Sequence, residues 1–494
     1  MFYKSTRSNA NATASAAEVI KQGLAADGGL FVPESIPSIT YKEIEALCRE
    51  SYPVRAATVL SKFLTDYTYD ELLADCCAAY DEASFVGGAA PLVNIHDNFE
   101  SLELWHGPTA AFKDMALQIM PRLLSRALKK TGEERTALIL VATSGDTGKA
   151  ALEGYKDVPG IKIMVFYPID GVSRVQKLQM ATQTGENVNV CAIRGNFDDA
   201  QNGVKVIFGD AEMAKKLDEM GYFFSSANSI NWGRLAPQIV YYVSAYCDLI
   251  NAGKCKMGES FNVCVPTGNF GNIFAAYLAK LMGLPIGHMV CASNTNNILT
   301  DFLSTGTYDR NRDFHLTMSP SMDILISSNL ERLLYFTAGS EKTAAYMENL
   351  KKKGVYTVDA DTLALIRQNF TGYYTDEAQT ASTIRNTYEK YGYLADTHTA
   401  VAIHAAEEYV RESGDVRPMI VDSTASPYKF ANDVYRSLTN EDAKSELDAL
   451  DQLSAYSKTE IPYPLAGIGS RKINFEQVID RTEMADAVLS YLNQ

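Results

Sequence analysis

Histidine is scarce, six in 494 residues, and none stands in an H-E-x-x-H or other zinc spacing. The eight cysteines (Cys48, Cys76, Cys77, Cys191, Cys247, Cys255, Cys264 and Cys291) never form a C-x-x-C pair, and several fall in apolar stretches. Buried thiols in a reducing cytoplasm explain them, and no structural metal is expected. No apolar run approaches membrane-spanning length, and Met1–Ala10 shows no apolar core with a cleavage site, so no secretory signal is read there. Positive charge is also short, with 45 Lys and Arg against 60 Asp and Glu, a net charge of −15. That balance excludes nucleic acid and anionic membrane as partners. It also means that an anionic ligand must be drawn by a local cluster of positive groups.

What is there is an ordinary soluble globular composition, 46 % hydrophobic and 21 % charged, in a chain long enough for two or three domains. Its most informative stretch runs from His106 through Gly107, Pro108, Phe112, Lys113 and Asp114. Pro108 fixes φ, and Gly107 allows a tight backbone approach. Beyond Met115, Met120, Leu123, Leu124, Ala127 and Leu128 recur at helical spacing. Lys113 therefore stands where a helix begins, between Phe112 and Asp114. A lysine held partly out of water beside a positive helix end loses proton affinity, which suits a Schiff-base nucleophile. Taken alone, the segment also fits a surface lysine near a helix start.

Two Gly-rich turns add weight. The apolar run Thr136–Ala142 reads as a buried parallel strand; it enters Thr143-Ser144-Gly145-Asp146-Thr147-Gly148 and then a helix-forming segment. Phe261–Val265 repeats the pattern, followed by Gly268-Asn269-Phe270-Gly271-Asn272 and a helix from Ile273. Each strand–glycine loop–helix unit aims free N–H groups and a positive helix end at one point, which suits a phosphate or carboxylate. One such loop is weak evidence, since α/β proteins need glycine there for packing too. Two loops with a poised lysine predict one site for an anionic cofactor and an anionic substrate.

Residues 1–95 read as a mixed, mostly helical N-terminal domain, with a turn at Gly29–Pro33 and helices near 41–50 and 69–84; residues 87–91 form a boundary. From residue 96 onward strands and helices alternate, the mark of parallel sheets covered on both faces. Strands are expected at 100–105, 136–142, 161–167, 188–194, 261–265 and 288–292, with helices at Asp198–Met220 and Leu235–Ala252. A smaller α/β subdomain is expected at about 130–225, the remainder of 96–494 forming a larger one. Phe302–Phe314 reads as an exposed insertion. The α/β pattern returns with helix Thr399–Glu412, strand Arg417–Asp422 and the loop Ser423–Lys429, before a helical, acidic C-terminal part.

Six blocks carry a resemblance: H-G-P-T-x-A-F-K-D at 106–114, T-S-G-D-T-G at 143–148, N-S-I-N-W-G-R at 228–234, G-N-F-G-N at 268–272, D-x-H-T-A-V at 396–401 and S-T-A-x-P-x-K-F at 423–430. With Tyr3–Arg7 and Gly23–Pro33, the chain resembles the threonine synthases, pyridoxal-phosphate enzymes of the tryptophan-synthase-β-like fold (fold type II). The resemblance covers nearly the whole chain, the last sixty or so residues least specifically. It implies two parallel α/β domains with the cofactor at their interface, plus an N-terminal extension. It implies that Lys113 binds pyridoxal phosphate, that Gly268, Asn269, Phe270, Gly271 and Asn272 cradle the cofactor phosphate, and that Thr424 bonds the pyridine nitrogen. A threonine after a strand also commonly caps the next helix.

Ser144 and Thr147 would face the substrate carboxylate. Asp146 falls where many relatives of the fold carry asparagine beside the cofactor's phenolic oxygen; an ionised Asp there should be repelled, so either it is protonated or its geometry differs. Asn228, Ser229 and Arg234 look like the grip on the substrate's own phosphate, for which arginine's forked donors are suited. The plainer alternative has Trp232 and Arg234 packing at a helix start. Lys149 reads equally as an anion partner or a solvated helix lysine. The blocks depart from the family at Thr397, where proline is expected, and at Ser426, where histidine is common, which leaves the role of residue 426 open.

The implied reaction is the last step of threonine biosynthesis: a cytoplasmic carbon–oxygen lyase converts O-phospho-L-homoserine and water to L-threonine and phosphate by γ-elimination and β-addition of water. Rivals are a phospholyase releasing ammonia and a keto acid, a serine/threonine dehydratase, and a silent binding protein of the same fold. The second phosphate block at 228–234 argues against a dehydratase, and the retained Lys113 argues against a silent relative. The partner expected is the small-molecule substrate; a monomer is favoured over a homodimer.

Overall fold

Strands that read as unbroken apolar runs are those that become buried parallel strands, because helices must cover both of their faces. The computed structural model describes residues 1–8, 13–170 and 172–493. In chain order its strands are β1 (Tyr3–Ser5), β2 (Phe31–Pro33), β3 (Leu92–His96), β4 (Phe99–Glu103), β5 (Thr136–Ala142), β6 (Ile161–Pro168), β7 (Val188–Arg194), β8 (Tyr222–Ser225), β9 (Phe261–Pro266), β10 (Ile286–Ser293), β11 (Thr307–Asp309), β12 (Val355–Thr357), β13 (Phe370–Tyr374), β14 (Met419–Ser423) and β15 (Val478–Asp480). The larger sheet has the order β13-β10-β9-β14-β4-β3, parallel except for the β3–β4 hairpin at its edge. The smaller, β15-β7-β6-β5-β8, is parallel throughout. The α/β class expected from the alternation is what the chain forms.

Helix Trp232–Asn251 is the spine of the larger core, buried along nearly its whole length. The N-terminal region docks against it: Trp232 packs on Tyr3 and Phe63, with ring centroids 5.3 and 5.7 Å away. A bidentate pair, Arg7 Nε and Nη2 donating to Glu331 at 2.8 and 2.7 Å, ties the same region to helix Leu330–Lys353. The carboxyl ends of β4, β5, β8, β9 and β14 lead into the segments 106–113, 143–148, 226–231, 267–272 and 424–426. In open α/β sheets, ligands bind at these ends.

Several sequence expectations are corrected. The stretch Asp198–Met220 is two helices, Phe197–Gly209 and Ala211–Glu219, because Asp210 ends the first and caps the second by accepting from the Glu212 and Met213 N–H groups. The turn expected at Gly29–Pro33 lies earlier, at Gly28 (φ 78°), and Phe31–Pro33 is a strand paired with β1. Phe302–Phe314 is not an exposed insertion: Phe302, Leu303 and Tyr308 are buried, in helix Ile298–Thr305 and in β11. The smaller sheet takes its edge strand β15 from the C-terminal part, far outside 130–225. Among the cysteines, Cys77 is exposed and Cys48 half-buried; the other six are buried.

Helix Asp146–Tyr155 of the smaller domain lies directly on the short helix Asp114–Leu117. A Cβ on Gly154 would stand 1.8 Å from the Leu117 carbonyl oxygen, whereas one on Gly209 would meet open space. Gly154→Ala is therefore expected to destabilise the fold by about 3 kcal/mol, and Gly209→Ala to be neutral or slightly stabilising. Paired urea titrations measure the contrast.

Candidate active site

At the convergence of the strand ends lies a cavity of about 430 Å³, within the range of small-ligand sites. Thirteen residues singled out from the sequence line it: Lys113, Ser144, Asp146, Thr147, Asn228, Ser229, Arg234, Gly268, Asn269, Phe270, Gly271, Asn272 and Thr424; Lys149 and Ser426 do not.

Lys113 comes from a packed turn. Gly107 is required there, since a Cβ would meet the Asp114 side chain at 2.6 Å. Asp114 is buried and accepts from Thr109 N–H at 2.8 Å and Thr109 Oγ1 at 2.6 Å; burial pushes its carboxyl up to about 6 against those bonds. The helix that Lys113 opens is only Asp114–Leu117, and a second, Met120–Lys130, starts after it with Pro121 in its first turn. A strong helix end therefore does not set the lysine's chemistry. Burial does, pulling the Lys113 amine down to about 8; Arg234 and Lys429 add to the fall, and Asp146 and Asp114 oppose it. The Phe112 ring lies 4.8 Å from Nζ.

Backbone bonds fix Lys113 relative to Thr424. Phe112 N–H donates to Thr424 O at 2.8 Å, Ser426 N–H donates to Ala110 O at 3.1 Å, and Ala111 bridges Ala425. The Thr424 side chain caps nothing; Ser426 does that by accepting from Tyr428 N–H, which also gives residue 426 its role. Thr397, in place of proline, is the first residue of helix Thr397–Ser413 after the Asp396 cap.

Two helices point uncapped N-termini at the cavity. Helix Gly271–Met282 follows Phe270, held left-handed at φ 61° with no side-chain cap. Helix Asp146–Tyr155 follows Gly145 (φ 147°), where a Cβ would collide with Gln176. Thr143 Oγ1 accepts from Gly145 and Gly148 N–H, and no side chain caps the turn between them. The Asn272 side chain is not available to a ligand, being bonded to Tyr241, Tyr242 and Asp422. Only the backbone of that residue can serve the cavity.

Asp146 is held as a carboxylate. Burial would raise its carboxyl, but Lys429 and Lys113 outweigh burial and hold it well below the usual carboxylate range. Lys429 Nζ is 2.6 Å away, fully buried, and Gln176 Nε2 donates to the same oxygen at 2.8 Å. Arg234 is buried without a carboxylate partner: Nη1 donates to Ala227 O at 2.9 Å and Nε has no partner. Burial lowers its guanidinium to about 10. A buried guanidinium with no carboxylate partner, lining the cavity with Asn228 and Ser229, suits a tetrahedral anion. Trp232 takes the packing role instead. Lys149 leaves both sequence readings behind, since it is buried and paired with Glu153 at 2.7 Å, away from the cavity.

Sequence reasoning missed three contributors. Lys429 and His398 lie inside two of the quoted blocks, but their partners are distant in sequence. His398 lines the cavity and accepts from Ser321 N–H at 3.1 Å, with Asp396 on its other nitrogen at 3.0 Å. The wall from Pro320 to Ser328 came from a segment without a readable period; its Ser321 carbonyl would meet a Cβ on Gly268 at 2.7 Å. Together these groups fit pyridoxal phosphate: an amine of lowered proton affinity, an uncapped helix end for its phosphate, and the Thr424 hydroxyl, which has no hydrogen-bond partner among the described residues.

Comparison with known proteins identifies the family and the fold. Family models match end to end: "Threonine synthase N terminus" over residues 2–80, "Pyridoxal-phosphate dependent enzyme" over 102–421 and "Threonine synthase, C-terminal" over 399–488. The chain is 40 % identical over 443 residues to the threonine synthase of Pseudomonas aeruginosa, covering 88 % of this chain and 90 % of that one. It is 39 % identical to human threonine synthase-like 1 over 89 % of its length, and spans 60 % of that longer protein. Among solved structures, yeast threonine synthase superposes with a TM-score of 0.89 at 33 % identity, covering 100 % of this chain and 98 % of that one. The pyridoxal-phosphate-bound threonine synthase of Brucella melitensis gives 0.88 at 36 %, with both chains fully covered.

The lowered amine has a signed consequence. Between about 8 and 10.5 the unfolded chain holds a proton on Lys113 that the folded, ligand-free protein does not. Stability should therefore rise with pH across that window, and Lys113→Met should remove the slope and add up to about 3 kcal/mol at neutral pH. Lys429→Ala, which strands Asp146, should cost roughly 3–5 kcal/mol, and pairing it with Asp146→Asn should recover most of the loss. Urea unfolding of ligand-free protein over the pH range reads both.

Proposed function

The chain belongs to the threonine synthase family of pyridoxal-phosphate-dependent enzymes, and from that premise we propose that it converts O-phospho-L-homoserine and water to L-threonine and phosphate. The observation that carries the proposal is the separation of two anion sites around one lysine. The uncapped helix end at Phe270–Asn272 suits the cofactor phosphate. The unpaired Arg234 with Asn228 and Ser229 suits a second phosphate, which only a phosphorylated substrate brings.

When bound, the cofactor supplies an electron sink for negative charge developing on the substrate's carbons. The remaining roles belong to the protein. Lys113 would hold the cofactor and, once its amine is free, move protons at Cα and Cβ; an amine near 8 is matched to that work at mildly alkaline pH. Ser144, Thr147 and the free N–H groups of their loop would orient the substrate carboxylate. Arg234, Asn228 and Ser229 would stabilise the departing phosphate where its charge develops. Thr424 would bond the ring nitrogen without forcing a proton onto it. Asp146, neutralised by Lys429, would stand beside the cofactor without repelling it.

The test is product analysis on purified protein with pyridoxal phosphate and O-phospho-L-homoserine. Threonine and phosphate in equal amounts are expected; phosphate with 2-oxobutyrate and ammonia would make it a phospholyase instead. Lys113→Ala should abolish turnover. Arg234→Ala should lower kcat/KM by about a hundredfold or more, as loss of a buried charged contact to the leaving group does.

A further inference from the structure

Behind the loop 268–272 lies a buried polar cluster, linked to the cavity wall through Tyr241 Oη and Gln238 Oε1 at 3.3 Å, for which the proposed chemistry has no use. Asp422 on β14, Asn272 in the first turn of helix Gly271–Met282, and Tyr241 and Tyr242 on helix Trp232–Asn251 are all buried. Tyr242 Oη stands 2.6 Å from Asn272 Oδ1 and 2.7 Å from Asp422 Oδ2. Asn272 Nδ2 lies 2.9 Å from the same Asp422 oxygen, and the Tyr241 hydroxyl also meets Asn272 Oδ1. Asp422 Oδ1 has no partner.

Counting protons fixes the state of the carboxyl. Tyr242 carries one hydroxyl proton, which cannot lie along both short contacts at once. If it goes to Asn272 Oδ1, the 2.7 Å contact to Asp422 joins two oxygens with no hydrogen between them, unless Asp422 supplies one. If it goes to Asp422, the Asn272 contact is left bare. Turning the Asn272 amide over does not help. Its nitrogen would then serve the tyrosines, and its oxygen would face Asp422 Oδ2 at 2.9 Å with nothing between. Each consistent arrangement puts a proton on Asp422.

The orphaned Oδ1 agrees. As the carbonyl oxygen of an acid it is a modest loss, whereas as half of a buried carboxylate it would be a severe one. The titratable groups facing Asp422 are Tyr241, Tyr242 and Cys264, none of them a cation that could hold it ionised. Burial pushes its carboxyl up to about 7, against the bonds from Tyr242 and Asn272.

We propose that Asp422 works as a neutral carboxylic acid that locks the anion loop Gly268–Asn272 to β14, and that its ionisation loosens the loop's grip on the cofactor phosphate. The second half rests on the reading of that loop given above. An ionised Asp422 would place a negative charge behind the helix end that faces the phosphate, and would leave one oxygen pair in the cluster without a hydrogen.

The test uses holoenzyme. Infrared difference spectra between wild type and Asp422→Asn, at about pH 6 and about pH 9, should show the carbonyl stretch of a protonated acid lost in the variant and faded in wild type at the higher pH. Asparagine can replace the acid, donating to Tyr242 Oη and, once the amide turns, to Asn272 Oδ1. Asp422→Asn should therefore release cofactor within about twofold of the wild-type rate, and Asp422→Ala about tenfold faster. The ³¹P resonance of bound cofactor should follow pH in wild type and not in Asp422→Asn. Absence of the acid band at the lower pH would overturn the proposal. If the band is present but Asp422→Ala leaves cofactor release and the ³¹P signal unchanged, the link to phosphate falls. Gly268→Val then separates the causes, because if it too leaves the signal unmoved, the reading of the loop fails with it.

Discussion

Buried cations with too few buried anions are the constraint on which this site depends. Lys113, Arg234 and Lys429 are gathered around one cavity, and the buried carboxyls that answer three cations are two, Asp146 and the more weakly held Asp114. Charges of one sign are not gathered out of water without something to bind. The protein meets the demand in two ways. Lys429 is matched one-to-one with Asp146, which makes a neutral, rigid floor. Lys113 and Arg234 are left unmatched, one by giving up proton affinity and the other by leaving an N–H unspent. In a chain of net charge −15 this local surplus is the feature that would draw a phosphorylated amino acid inward.

The framework around that surplus is made of backbone. Segments 110–112 and 424–426 bond to each other at the mouths of β4 and β14, so the lysine and the threonine hydroxyl are set by main-chain geometry, and side-chain packing needs only to fill around them. The two anion-facing helices are likewise built with the N–H groups of their first two residues unclaimed by side chains, Thr143 Oγ1 taking only the third, Gly148, of helix Asp146–Tyr155. A site made this way tolerates drift in surrounding residues while its geometry holds.

Much of this was legible in the sequence because its physics is local. Thr136–Ala142 and Val188–Arg194 read as strands to the residue, since a strand covered on both faces needs a mostly apolar run and turn formers at its ends. The glycine loops could be found because only glycine permits Gly145's φ or Gly268's approach to Ser321. What stayed hidden depends on distant partners. Asp146 posed a question of charge that Lys429, distant in sequence, answers together with Lys113, and Lys149 lost its solvated reading to Glu153 and the packing around it. Asn272 lay in the right loop, but its side chain faces Asp422, which nothing in the local pattern marks. The wall at 320–328 has neither helical nor strand period and takes its shape from Asp323, which gathers Asn294, Asn296 and Thr317.

The edge strand β15 carries one more consequence, which concerns the order in which the chain is made. β7 emerges from the ribosome long before Val478–Asp480 exists, so the smaller sheet must wait with a raw edge of unpaired N–H and C=O groups. Helix Met484–Leu492, which covers part of the same domain's core, arrives later still. The loop 143–148 belongs to that sheet. The domain can therefore settle into its final form only once Val478–Leu492 has been made, and until then its open edge is exposed to the wrong partner.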